Sequence, residues 1–152
     1  MPRNWDDAKF ATWAAIPSDT QQQKCDNAVR AIREAIDLST PLAARSLSVF
    51  AQGSYRNRTD VRNESDVDIC VLYRGTFFFD LPSGVSPQSV GASVPADYTF
   101  DRYRPQVLSA LVQHFGAGSV RSGTKAITVQ ANTYRVIADV VPCFEYHWYH
   151  TA

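Results

Sequence analysis

Two short apolar runs in this chain are each broken by aspartate where a buried strand tolerates none, and that pattern restricts both the fold and the chemistry. In the first run Val67, Ile69 and Val71 alternate with Asp66, Asp68 and Cys70, which is the period of a strand with one apolar face. Asp66 and Asp68 therefore emerge on the same side, about 7 Å apart along the strand. Two carboxylates on one face repel each other unless water or a cation relieves them, and Asp is disfavoured in strands in any case. The face is either simply solvated or built to hold a cation. In the second run Asp139 interrupts Val136, Ile137, Ala138, Val140 and Val141, where an unpaired buried carboxylate is expensive. A buried acid at that point calls for a cation.

The remaining elements arrange themselves around these two strands. Cys25, Ala28, Val29, Ile32 and Ile36 make one helical stripe, and the helix is expected to end near Ser39 because Pro41 disfavours helix at Thr40. Trp5, Phe10, Trp13 and Ile16 suggest a shorter amphipathic piece closing at Pro17. Leu47, Val49 and Ala51 alternate with polar neighbours in a strand over 46–51 that runs into Gly53. The Asp66 strand is expected to reach Tyr73, and Arg74 to Asp97, punctuated by Gly and Pro, reads as a long loop. The Phe77-Phe78-Phe79 triplet at its start either packs the loop down or meets a ligand base. Val107, Leu108, Leu111, Val112 and Phe115 mark a helix over 104–115, with Pro105 in its first turn and Gly116 just past its end. Ala126 to Gln130 and Tyr134 to Val141 read as an antiparallel pair closed by Pro142. With no internal repeat, this order gives an α+β fold with one mixed β-sheet flanked by helices.

Three carboxylates from two strands form a hard, oxygen-rich donor set that suits two Mg²⁺ or Mn²⁺ ions. No His or Cys is spaced to join them, which argues against zinc. A Gly53-Ser54 turn after a strand is commonplace by itself. Beside a divalent metal it points to phosphate, because an amide at Gly allows close approach, the Ser54 hydroxyl donates, and two ions about 4 Å apart clamp an in-line displacement. The chemistry inferred is phosphoryl or nucleotidyl transfer. Arg56, Arg58 and Arg62 either contact a triphosphate or belong to a solvated loop, and Lys125 is either a phosphate contact or a surface lysine at a strand entry. His114, His147 and His150 are given no catalytic role.

Balanced charge, 15 Lys plus Arg against 15 Asp plus Glu, argues against broad non-specific nucleic-acid binding. An apolar share of 45% excludes a disordered chain. Cys25, Cys70 and Cys143 read as free thiols, and with no apolar leader in the first 20 residues a reducing, cytoplasmic setting is expected. No apolar run approaches the ~18 residues of a membrane span.

The block from Gly53-Ser54 through Arg56 to Ser65-Asp66-Val67-Asp68 resembles the GS…DxD signature of the DNA polymerase β-like nucleotidyltransferase superfamily. Together with Ala138-Asp139-Val140-Val141-Pro142-Cys143-Phe144-Glu145-Tyr146 it resembles, more narrowly, the bacterial oligonucleotide cyclases related to cyclic GMP-AMP synthase, the CD-NTases of antiphage CBASS systems. The resemblance implies a nucleotidyltransferase core with a mixed sheet of about five strands. It implies that Asp66 and Asp68 hold two Mg²⁺ ions, that Asp139 holds the ion activating a ribose hydroxyl, and that Gly53 and Ser54 hold terminal phosphates. It further implies NTP substrates such as ATP or GTP joined into a cyclic di- or trinucleotide, and it leaves room for a regulatory protein partner. Family members carry a C-terminal helical domain, so residues 1–152 are expected to be the catalytic core alone. The apolar end Phe144 to Tyr149 then offers a face for self-association. A linear oligoadenylate synthetase-like enzyme and a non-catalytic NTP-binding module are the alternatives.

Overall fold

The computed structural model describes residues 19–53, 66–92 and 94–150. The expected amphipathic piece around Trp5 to Ile16, and Ser54, Arg56, Arg58 and Arg62, lie outside them. Helix α1 spans Asp19–Asp37 and a single-turn helix α2 spans Thr40–Ala43. Strands β1 (Leu47–Gln52) and β2 (Val67–Asp80) follow, then helix α3 (Phe100–Phe115) and strands β3 (Val120–Ser122), β4 (Ile127–Val129) and β5 (Ala138–Trp148). The five strands form one mixed sheet in the order β1-β2-β5-β4-β3. Only the central β2–β5 pair is parallel.

Alternation decides which side of the sheet is core. Val67, Ile69 and Val71 of β2, Ala138 and Val140 of β5, and Ile127 and Val129 of β4 are all sealed from solvent. They meet Ala28, Ile32 and Ile36 from α1 and Tyr103, Val107 and Leu111 from α3 in one cluster. Each fully buried Val, Leu or Ile contributes about 1.5–3 kcal/mol of transfer free energy. Inside this layer the buried Tyr103 hydroxyl donates to the Val71 carbonyl at 2.6 Å. Both helices cover one face, so the aspartates are left on the other.

Several boundaries differ from the sequence expectation, each for an identifiable reason. Thr40 is helical after all: it opens α2, whose first turn accommodates Pro41. The segment expected to loop from Arg74 instead continues β2 to Asp80, with a register shift between Tyr73 and Phe77. Gly75 sits in that irregularity, where a Cβ would come within 2.2 Å of the Tyr73 hydroxyl, so glycine here makes room for a side chain and does not end the strand. The Phe triplet packs: Phe77 stacks on His147 with centroids 4.3 Å apart and Phe78 on Phe144 at 5.6 Å. Helix α3 begins at Phe100, which leaves Pro105 inside it and the Asp101 carbonyl without its helical donor. Asp101 and Pro105 are both exposed, so water reaches that carbonyl.

The last strand also moves. It starts at Ala138, four residues later than expected, and passes through Pro142 to Trp148. Pairing with β4 ends at Val140, so Pro142 falls where β5 has lost that neighbour, a position that tolerates a missing donor. Residues 131–137 are held off the sheet by Asn132, whose Oδ1 accepts from the Tyr134 and Arg135 amides at 2.9 Å each. The buried Asn27 of α1 then donates to the Tyr134 carbonyl at 2.9 Å. No helix among the described residues is long and apolar enough to cross a membrane.

Candidate active site

The strand register assembles the site. Gln52 pairs with Asp68, Asp68 with Asp139, Asp139 with Thr128, and Thr128 with Arg121. One residue from every strand thus lies in a single row across the sheet, on the face turned away from α1 and α3. The next row, Ala51, Ile69, Val140, Ile127 and Ser122, points mainly into the core. Neighbouring strands run about 4.8 Å apart, which sets two carboxylates side by side at the centre of the row. Antiparallel neighbours can be joined by a short turn, whereas parallel ones need a crossover; the parallel β2–β5 pairing brings Asp68 and Asp139 together across some seventy residues of chain.

Each carboxylate has its own surroundings. Asp68 is exposed, and the Gly53 Cα stands so close to it that an added Cβ would lie 2.8 Å from Asp68 Oδ2. Gly53 also has φ of +70°, so both its backbone and its neighbour require glycine. Asp139 is half-buried and its Oδ1 accepts a 2.7 Å hydrogen bond from Thr128 Oγ1. This corrects the expectation of a sealed acid: the strand period sends Ala138 and Val140 inward and Asp139 to the open face, where a hydroxyl meets it. Asp66 is exposed immediately before β2, whose first amide, from Val67, bonds the Ile137 carbonyl at 3.0 Å. This bond ties the start of β2 to the entry of β5.

The expected three-carboxylate cluster is not closed: among the described residues no three His, Cys, Asp or Glu side chains converge closely enough to ligate one ion. Three carboxylates at one point repel one another, and Asp66 lies just outside the strand ladder that holds the other two. The pair that does meet, Asp68 and Asp139, is an all-oxygen donor set on an open face, which fits Mg²⁺ or Mn²⁺. Lys125 is exposed in the turn between β3 and β4, and the register carries it past Val140, away from Asp66. The structure therefore brings Gly53, Asp68 and Asp139 together and sets Lys125 apart from them.

Thr128 and Gln52 were not singled out in the sequence. The available signal was the polar residue in Ile127-Thr128-Val129, whose period places Thr128 on the aspartate face. On that same face the thiols of Cys70 and Cys143 are hydrogen-bonded to each other. The bond donated by Cys70 holds the Cys143 thiol down to about 7 against the effect of burial, and the same contact with burial pushes Cys70 well above the thiol range. All three cysteines are free.

The fold has solved counterparts. The structure of Rhodothermus marinus CdnE c-UMP-AMP synthase with Apcpp and Upnpp superposes with a TM-score of 0.80 at 31% identity, covering 96% of this chain and 47% of that one. In sequence, the chain is 40% identical over 141 residues to the cyclic dipyrimidine nucleotide synthase CdnE of Cecembia lonarensis, covering 93% of this chain and 48% of the relative. The chain belongs to the CD-NTase family. A second CD-NTase relative, the cyclic dipyrimidine nucleotide synthase CdnE of Legionella pneumophila, is 40% identical over 152 residues, 99% of this chain and 51% of its own. The Elizabethkingia meningoseptica CdnE structure with GTP and Apcpp gives a TM-score of 0.68 at 33% identity, covering 93% of this chain and 45% of that one. The chain spans about half the length of the curated relatives it matches. No family model matches the sequence.

Proposed function

We propose that residues 1–152 are the catalytic core of a metal-dependent nucleotidyltransferase that joins NTPs into a cyclic di- or trinucleotide, the signal of an antiphage response. The observation that carries this reading is the register pairing of Asp68 with Asp139 on the open face, with Gly53 packed against Asp68. It is supported by the relatives, which are named as cyclic nucleotide synthases, and by the GTP or NTP analogues bound in two neighbouring structures.

Bound Mg²⁺ or Mn²⁺ supplies charge neutralisation at the α-phosphate and a more acidic attacking hydroxyl. Asp66 and Asp68 would hold two ions between them, with Asp139 sharing the one on the side of the attacking group. Gly53, having no side chain, leaves its amide open to a terminal phosphate, and Ser54 adds a hydroxyl donor. Arg56 adds positive charge for the triphosphate, while Lys125, set apart in the β3–β4 turn, is given no part in it. In the transfer a ribose hydroxyl attacks the α-phosphorus of a second NTP and the bond to the β-phosphate breaks. Pyrophosphate leaves with the electron pair and the hydroxyl proton passes to solvent. A second transfer closes the ring.

The test is to incubate the chain with the four NTPs and Mg²⁺, treat with phosphatase and separate the products. The reading predicts a phosphatase-resistant product that disappears in the Asp68→Asn, Asp139→Asn double variant. Products with a free terminal triphosphate indicate a linear synthetase, and binding without turnover a non-catalytic NTP-binding module.

A further inference from the structure

We infer that Thr128 is a positioning residue for Asp139, fixing how the third carboxylate faces a divalent cation; this rests on the nucleotidyltransferase reading above. Thr128 and Asp139 are direct register partners across the antiparallel β4–β5 pair. The Thr128 hydroxyl donates to Asp139 Oδ1 at 2.7 Å, within the range of a hydroxyl–carboxylate hydrogen bond. Asp139 lies between Thr128 on one flank and Asp68 on the other. With Oδ1 tied toward β4, the carboxylate plane is set and Oδ2 is left for an ion shared with Asp68. No other hydrogen bond to Asp139 is present among the described residues, so one hydroxyl does this work.

Two features make the contact more than incidental. Thr128 stands on the solvent side of its strand between the sealed Ile127 and Val129, so its side chain is not needed to fill the core. A β-branched residue also has a stiff χ1, and the flanking core residues fix the strand that carries it. The hydroxyl is therefore pre-positioned on a rigid element, which is what an outer-sphere partner of a metal ligand requires.

The inference is tested by Mn²⁺ binding, read from the loss of the free-ion paramagnetic resonance signal as Mn²⁺ is titrated into the chain with a non-hydrolysable ATP analogue. The variants are Thr128→Val, Thr128→Ser and Asp139→Asn. Valine keeps the branched shape and strand preference while deleting the donor, so thermal unfolding near that of the wild type is expected. Loss of an outer-sphere partner typically weakens metal binding by about 10–100-fold. Thr128→Val is expected to bind Mn²⁺ at least about tenfold more weakly and Thr128→Ser to restore wild-type affinity, with Asp139→Asn the weakest. If Thr128→Val binds like the wild type while Asp139→Asn does not, the positioning role is overturned and the carboxylate reading stands. If Thr128→Ser is as weak as Thr128→Val, the hydroxyl is not the cause and the inference fails in the same way. If Asp139→Asn binds like the wild type, or the wild type does not bind, the carboxylate site itself is wrong and the positioning role falls with it.

Discussion

Strands β2 and β5 run side by side through the whole sheet, yet their two ends are built differently. At the Asp68–Asp139 end the pair is flanked by β1 and β4, and every strand contributes one residue to the row. At the other end pairing with β1 has stopped at Tyr73 and pairing with β4 at Val140. Phe77 to Asp80 and Glu145 to Trp148 go on alone as a two-stranded ribbon. Such a ribbon is marginal in water without side-chain support. Here support comes from the stacked Phe77–His147 pair, the 2.7 Å Arg74–Glu145 ion pair and the Tyr146 hydroxyl on Asp80. Phe78, Tyr146 and Trp148 remain 54%, 59% and 68% exposed, an apolar surface suited to self-association. A cavity of about 760 Å³ lined by Tyr73, Phe77, Phe79 and Val94 also opens here, with no carboxylate of the row in it. Polar residues that must hold a fixed geometry sit where the sheet is widest, and aromatic residues that bury one another sit where it has narrowed.

The sharpest way to break this contrast is to alter one residue at the polar end. Asp68→Asn is expected to lower the proposed NTP turnover by about a thousandfold, ~4 kcal/mol of transition-state stabilisation. Because Asp68 is exposed, the thermal midpoint should move by no more than about 2 °C. NTP consumption and thermal unfolding of one sample separate the two effects. The core beneath the row should behave in the opposite way. Leu111→Ala, at a position with no exposed surface, is expected to cost about 2–5 kcal/mol in urea unfolding. Gly53→Ala lies between, since it adds a Cβ 2.8 Å from Asp68 Oδ2 at a positive φ. About 1–3 kcal/mol of strain is expected there, with weaker Mg²⁺-dependent NTP binding in calorimetry.

Smaller effects belong to the ribbon and the thiols. Phe78→Ser should cost under about 1 kcal/mol, leave NTP binding unchanged and reduce self-association seen by sedimentation, because the side chain is more exposed than buried. The smallest change is chemical. Cys143, with its pKa held down to about 7 by the bond from Cys70, should be alkylated ahead of Cys70 and Cys25. Its rate should rise as the pH passes about 7, since the thiolate is the reacting form. Mass spectrometry of the modified chain reads the order.

The polar end was largely legible in the sequence and the ribbon was not. A period of two puts Asp68 on the polar side of its strand, whatever the rest of the chain does, whereas Asp139, read as a buried acid, lies half-buried on the open face. Alternation within one strand also revealed the core residues Val67, Ile69 and Val71. Partners across strands are a different matter. That Thr128 faces Asp139 depends on register between segments joined by the 131–137 turn, which Asn132 holds by a local Asx turn and Asn27 by a contact across 107 residues that no local pattern reveals. Gly75 and Pro142 misled because both punctuate strands in most settings. Here one makes room for the Tyr73 hydroxyl and the other lies where β5 is unpaired with β4.

The central claim is that Asp68 and Asp139 serve one site, and a double-mutant cycle on Mg²⁺-dependent binding of a non-hydrolysable NTP tests it most directly. Calorimetry would compare the wild type, Asp68→Asn, Asp139→Asn and the double variant. Residues that act as a unit are non-additive. Either single change is expected to remove most of the metal-dependent affinity, and the second to add little. Fully additive losses, or metal-dependent binding that survives in the double variant, would contradict it.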